Sequence, residues 1–135
     1  MRRVALVLAS LAVVAIVSIT CFSFFCVGHR LDYKTISVSD ARAMIQASSN
    51  VLVLDVRTPQ EYVQGHLESA INIPLSDLPM RDGGVEKDRP ILVYCQTGYR
   101  SAQASAILVK AGYTNVYNLE GGIIAWTHAG YPTVT

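Results

Sequence analysis

One cysteine stands where a thiol can react. Cys95 directly follows the apolar run Ile91-Leu92-Val93-Tyr94 and directly precedes Gln96-Thr97-Gly98-Tyr99. From Arg100 and Ser101 onward, Ala102, Ala106 and Val109 recur at helical spacing. A strand end, a tight loop and a helix start gather several backbone N–H groups at one point, and a helix N-terminus favours negative charge. The same surroundings lower the pKa of a thiol, and the thiolate is the nucleophile. Gly98 lets the loop curl without the steric cost of a Cβ. Arg100 adds a positive charge at the helix start. The pattern is that of a thiolate in an anion cradle. The competing reading is a cysteine that packs as a small buried hydrophobe.

Other residues take supporting parts. Cys21 and Cys26 lie in an N-terminal apolar segment, so the polar part of the chain has no second thiol for an internal disulfide. Structural zinc wants four ligands, usually with paired cysteines, so no metal is expected. Asp55 and Arg57 end the apolar run Val51-Leu52-Val53-Leu54 and are expected to organise the loop through ion pairs, because polar groups beside a core must find partners. His66 reads as hydrogen-bonded structure, since a thiol of lowered pKa needs no dedicated base. Trp126 reads as packing for the last helix. Tyr99 lies on the loop rim, either shaping a pocket mouth or simply solvated.

The elements that must position these residues alternate between strands and helices. Thr35 to Val38 reads as a first strand, and Ser39 as the N-cap of a helix through Ala47. Val51–Leu54 and Ile91–Tyr94 are continuous runs of the kind buried on both faces of a parallel sheet. Thr58-Pro59-Gln60-Glu61 has the form of a capping box with proline at the first helical position. Ala70 to Ile73 reads as a strand stopped by Pro74. Ser76 is placed to cap a short helix, and Arg81-Asp82-Gly83-Gly84 reads as a loop. A helix over Arg100–Lys110 is closed by Gly112. Asn115–Leu119 supplies a last strand, and Gly121-Gly122 leads into a helix around Ile124–His128. This order predicts an α/β domain with a mostly parallel sheet. Cys95 then sits at the carboxyl end of a strand, where open α/β sheets place ligands.

Composition divides the chain. Its 135 residues suit one domain of ordinary size. Charged residues are 16% against about 25% in typical soluble domains, while 51% are hydrophobic. The apolar excess is concentrated between Val4 and Val27, a stretch of 24 residues without a charge. At about 1.5 Å per residue a helix of that length spans a bilayer core of roughly 30 Å. The expected layout is therefore a signal or transmembrane segment over residues 1–30 and a working domain over 31–135. Three readings of the first segment stay open: an uncleaved anchor, a cleaved signal peptide, and a lipoprotein signal ending at Cys21. The run is longer than the roughly 7–15 apolar residues of a signal peptide, which favours the anchor. Arg2 and Arg3 precede it, so the positive-inside rule leans toward an exported domain, periplasmic in a Gram-negative cell. The net charge of +1 gives no sign of nucleic-acid binding.

The motif Cys95-Gln96-Thr97-Gly98-Tyr99-Arg100-Ser101 resembles the active-site loop of the rhodanese (sulfurtransferase) family. The resemblance extends to Asp55-Val56-Arg57-Thr58-Pro59-Gln60-Glu61-Tyr62, to Gly65-His66-Leu67 and to Ala70-Ile71-Asn72-Ile73-Pro74. It continues through Gly121-Gly122-Ile123-Ile124-Ala125-Trp126 and Gly130-Tyr131-Pro132, and so covers about Thr35 to Pro132. It implies a five-stranded, mostly parallel sheet flanked by helices. It also implies transfer of a sulfane sulfur through a persulfide on Cys95, from thiosulfate or a persulfide donor to cyanide or a thiol. The loop from Gln96 to Ser101 would bind the persulfide, with no cofactor and a monomeric protein. Two alternatives remain: a non-catalytic binding module of the same fold, and a cysteine phosphatase or arsenate reductase. The latter enzymes have five residues between cysteine and arginine, whereas four, Gln96 to Tyr99, separate Cys95 from Arg100.

Overall fold

The order in which the strands lie decides where a ligand can sit. The computed structural model describes residues 32–78 and 87–135. In them, strands β1 (Lys34–Ile36), β2 (Leu52–Asp55), β3 (Ile71–Asn72), β4 (Ile91–Tyr94) and β5 (Val116–Leu119) form one sheet. The helices are α1 (Val38–Ala47), α2 (Pro59–Val63), α3 (Tyr99–Lys110) and α4 (Gly122–His128). The strand order is β1-β5-β4-β2-β3, and every pairing is parallel. From β2 the chain moves outward to β3; from β4 it moves the other way, to β5. The crevice between the carboxyl ends of β2 and β4 is therefore the switch point of the sheet, the usual ligand position in such folds. Cys95 is the first residue beyond β4.

Strand alternation sorts β4 between two cores. Val93 and Cys95 pack with Leu54 and Val56 of the neighbouring segment and with Ala104, Leu108 and Val109 of α3. Leu92 and Tyr94 pack on the opposite face with Val53, Leu67 and Leu119, and with Ala41 of α1 and Ile123 and Trp126 of α4. Every residue of β4 is buried, as its unbroken apolar run requires. Each such aliphatic side chain contributes about 1.5–3 kcal/mol by leaving water. Trp126 seats α4 on the sheet as expected, and its indole N–H donates to the Pro132 carbonyl (2.9 Å).

The local signals hold with small shifts. Ser37, not Ser39, caps α1: its hydroxyl accepts from the Asp40 N–H (3.2 Å) and donates to the Asp40 carboxylate (2.8 Å). Capping from Ser37 places Asp40 at the third helical position, where its carboxylate reaches the cap hydroxyl and gains that second bond, and β1 ends earlier than the apolar pattern suggests. The Thr58–Glu61 capping box is present with Pro59 opening α2. Ser76 lies in a turn, where its hydroxyl donates to Asp77 Oδ1 (2.8 Å). Helix α3 begins at Tyr99, and Gly112 follows its cap residue Ala111. No helix among the described residues is long and apolar enough to cross a membrane. The apolar segment within residues 1–30 and the expected loop Arg81-Asp82-Gly83-Gly84 lie outside the described residues.

Candidate active site

The thiol is the centre of its own loop. Cys95 is fully buried, and its Sγ accepts from the Gly98 N–H (3.1 Å) and from the Ser101 hydroxyl (3.4 Å). Burial alone pushes the thiol pKa up; the Ser101 hydroxyl and amide and the Thr97 and Gly98 amides outweigh it and hold the thiol below its ordinary range. The chain turns tightly enough for this because Gly98 takes a φ of +96°. A Cβ there would sit 3.2 Å from the Gly121 N and 3.3 Å from the Leu119 carbonyl.

A second glycine holds the loop from below. Gly122, at the start of α4, has a φ of +60°, and a Cβ on it would run into the backbone of Cys95 and Gln96, 2.6 Å from the Gln96 carbonyl carbon. That close approach lets two α4 amides hold the loop: Ile123 N–H donates to the Cys95 carbonyl (2.9 Å) and Ile124 N–H to the Gln96 carbonyl (3.2 Å). The sequence marks Gly121-Gly122 only as a helix entry, and nothing local to that dipeptide points to Cys95.

Among the described residues, the charged side chains around the loop form two ion pairs. Asp55 and Arg57 form the expected ion pair, both buried, with Arg57 Nη2 2.7 Å from Asp55 Oδ2 and also donating to the Gly65 carbonyl (2.7 Å). Asn72 donates from its amide to the carbonyls of Asp55 and Arg57 (3.0 and 2.9 Å), fixing the exit from β2. Burial, and then the hydrogen bond with Asp55, push the Tyr94 hydroxyl pKa up, so this phenol stays protonated; its oxygen accepts from Leu67 N–H (3.1 Å).

Arg100 is not an unpaired cation at the loop. It grips Glu61 through both ends, Nη1 to Oε2 at 2.9 Å and Nη2 to Oε1 at 2.6 Å. Glu61 also closes the capping box at Thr58 N–H (2.9 Å). The Arg100 hydrogen bonds lower the Glu61 pKa to about 2. The stabilisation from this pair is complete above the ordinary carboxylate range and is lost as pH falls through about 2.

A cleft of about 310 Å³ opens beside the loop, lined by Arg57, Glu61, Gln96, Ile123, Ile124 and Thr127 among others. Tyr99 stands at the loop tip, 72% exposed. His66 is structural in its contacts: its Nδ1 lies 3.0 Å from the Tyr62 carbonyl and its ring stacks on the Tyr62 ring at 3.8 Å. Among the described residues no cluster of acidic, histidine or cysteine side chains could hold a metal. The structure thus joins Cys95 and Gln96 through Ser101 in one cradle, with Asp55 and Arg57 buttressing the adjacent strand end.

A central parallel sheet with a cysteine-centred amide cradle at its switch point is the architecture of a known class. The profile of the rhodanese-like domain matches residues 37–129. A sulfurtransferase from Allochromatium vinosum is 45% identical over 87 residues, covering 64% of this chain and 81% of that protein. The thiosulfate sulfurtransferase GlpE of Stutzerimonas stutzeri is 33% identical over 102 residues, covering 76% of this chain and 91% of that protein. The solved structure of a rhodanese-related protein from Thermoplasma volcanium matches with a TM-score of 0.68 at 38% identity, covering 76% of this chain and 98% of its own. The chain belongs to the rhodanese-like family.

Proposed function

We propose that this chain is a sulfurtransferase that carries a sulfane sulfur on Cys95, taking it from thiosulfate or a persulfide and passing it to a thiophilic acceptor. The observation that carries this reading is the set of donors on Sγ: the Gly98 amide and the Ser101 hydroxyl both donate to the Cys95 sulfur, an arrangement that favours its anionic form. In the first half-reaction the Cys95 thiolate attacks the outer sulfur of the donor. The S–S bond to the leaving group breaks, and sulfite, or the parent thiolate, departs with the electron pair. The outer sulfur stays on Cys95 as a persulfide. In the second, cyanide or a thiolate attacks that sulfur and Cys95 leaves as thiolate. Each half exchanges one bond to sulfur for another, so no external oxidant or reductant is consumed. Fixed amides facing the terminal sulfur stabilise its charge without reorganising. This is covalent nucleophilic catalysis. The phosphatase reading is less well supported, because its arginine must face an oxyanion and Arg100 is instead ion-paired with Glu61.

The test is sulfur transfer from a sulfane donor to cyanide, with both concentrations and the pH varied. Parallel double-reciprocal lines are expected, with an acid limb below the ordinary thiol range. Ser101→Ala removes one of the hydrogen bonds that lower the thiol pKa, so its acid limb should move to higher pH. Intersecting lines, or an unmoved limb in Ser101→Ala, would count against the mechanism.

The same reading extends to placement. Residues 1–30 carry an uncharged stretch long enough for a membrane anchor, and we place residues 31–135 outside the cytoplasm. A C-terminal epitope should be digested by protease added to intact spheroplasts; digestion only after lysis contradicts the placement.

A further inference from the structure

Among the described residues, the two arginines near the Cys95 loop are both paired. Arg57 is committed to Asp55 and the Gly65 carbonyl. Arg100 is held in a two-point grip by Glu61, which the Thr58 capping box fixes in turn. Among the described residues, Arg57 is the cation that lines the cleft beside the loop and it is paired with Asp55, while Glu61, the partner of Arg100, itself faces that cleft. What remains for a ligand is polar but uncharged, Gln64, Gln96, Thr127 and Thr133, together with apolar Ile123 and Ile124. Thiosulfate is a compact dianion, and an unpaired positive charge at the mouth would favour its binding. A small thiol persulfide carries an organic body that can lie against Ile123 and Ile124 and bond to the neutral polar side chains, and it has only its terminal sulfur to present to the amides.

Resting on the sulfurtransferase reading, we infer that Glu61 is a specificity-determining residue that neutralises Arg100 and so selects a thiol-borne persulfide over thiosulfate as the sulfur donor. The step balances: Cys95 thiolate attacks the outer sulfur of R–S–SH, the donor's S–S bond breaks and R–S⁻ leaves with its electron pair, and the outer sulfur stays with its proton on the Cys95 sulfur as a persulfide. Glu61 acts through Arg100 and is a positioning residue, not a catalytic one.

Glu61→Gln tests this, because glutamine preserves a capping box while removing the charge. The full-length protein is assayed with thiosulfate and with cysteine persulfide, and cyanide is the acceptor. The two donors differ in intrinsic reactivity, so the readout is the change in the ratio of their kcat/KM values on substitution. The ratio of thiosulfate to cysteine persulfide should rise at least about tenfold in Glu61→Gln. The gain should lie in the thiosulfate KM and should shrink as salt is added, which a merely structural effect would not show. A ratio that stays put or falls overturns the inference. Should Glu61→Gln fail to fold, Arg100→Gln serves: it leaves Glu61 uncompensated at the cleft, so the ratio should fall, and an unchanged or higher ratio overturns the inference. Absence of sulfur loading from both donors in the wild type would instead defeat the sulfurtransferase reading itself.

Discussion

Replacing Cys95 by serine is expected to lower kcat/KM for sulfur transfer by at least about 10³-fold, the scale seen when a nucleophile is removed elsewhere. The expected loss is chemical, not architectural. Serine is close in size, and its oxygen can still accept from the Gly98 amide and the Ser101 hydroxyl that now hold Sγ. A hydroxyl, however, is not ionised near neutrality and cannot form the S–S bond that carries the transferred sulfur. Initial rates alongside thermal melting separate the two effects. A variant that melts with the wild type but transfers no sulfur fits the mechanism; residual turnover within tenfold of wild type would place the nucleophile elsewhere.

The second large effect concerns a residue with no functional group. Gly122→Ala should destabilise the protein by about 2–5 kcal/mol, combining about 1–2 kcal/mol for a left-handed L-residue with about 1–3 kcal/mol for overpacking. The new methyl meets the Cys95 carbonyl oxygen and Gln96 backbone, neither of which can swing aside as a side chain would. Relief requires the loop or the start of α4 to move, and with it the Ile123 and Ile124 amides that hold the Cys95 and Gln96 carbonyls. Against a total of about 5–15 kcal/mol this is a large fraction, readable by urea denaturation. Gly130→Ala is the control, since Gly130 shares a positive φ of +79° but has open space around it. Its cost should be the conformational part alone, with sulfur transfer retained. Equal losses in the two variants would show that contact with the Cys95 loop does not matter.

Those two positions show which parts of the molecule the sequence displays. The strand before Cys95 is legible because a strand buried on both faces needs an unbroken apolar run, and Ile91–Tyr94 is such a run in letters and in space. The cradle is legible for a related reason: loop and helix start are contiguous in sequence, so Cys95 and the donors from Gly98 and Ser101 fall within seven residues. The Thr58–Glu61 box and the Asp55–Arg57 pair are likewise local. What stays hidden is long-range. Glu61 shows its capping role, but its grip on Arg100 joins residues 39 apart and reverses the electrostatic meaning of that arginine. Gly122 reads as a helix entry until the sheet brings it beneath Cys95. Tyr94 reads as one more apolar strand residue, and its hydroxyl, bonded to the Leu67 amide from 27 residues away, carries no local mark. The choice of Ser37 over Ser39 as a cap turned on where β1 stops, which pairing with β5 decides.

The most direct measurement is the intact mass of the protein after brief exposure to a sulfane donor and removal of excess reagent. A gain of about 32 Da, one sulfur atom, is expected as the covalent intermediate. It should map to the peptide containing Cys95, be absent from Cys95→Ser, and disappear on adding cyanide. No gain with either thiosulfate or cysteine persulfide, or a gain on a peptide lacking Cys95, would contradict the account of Cys95 as the sulfur carrier.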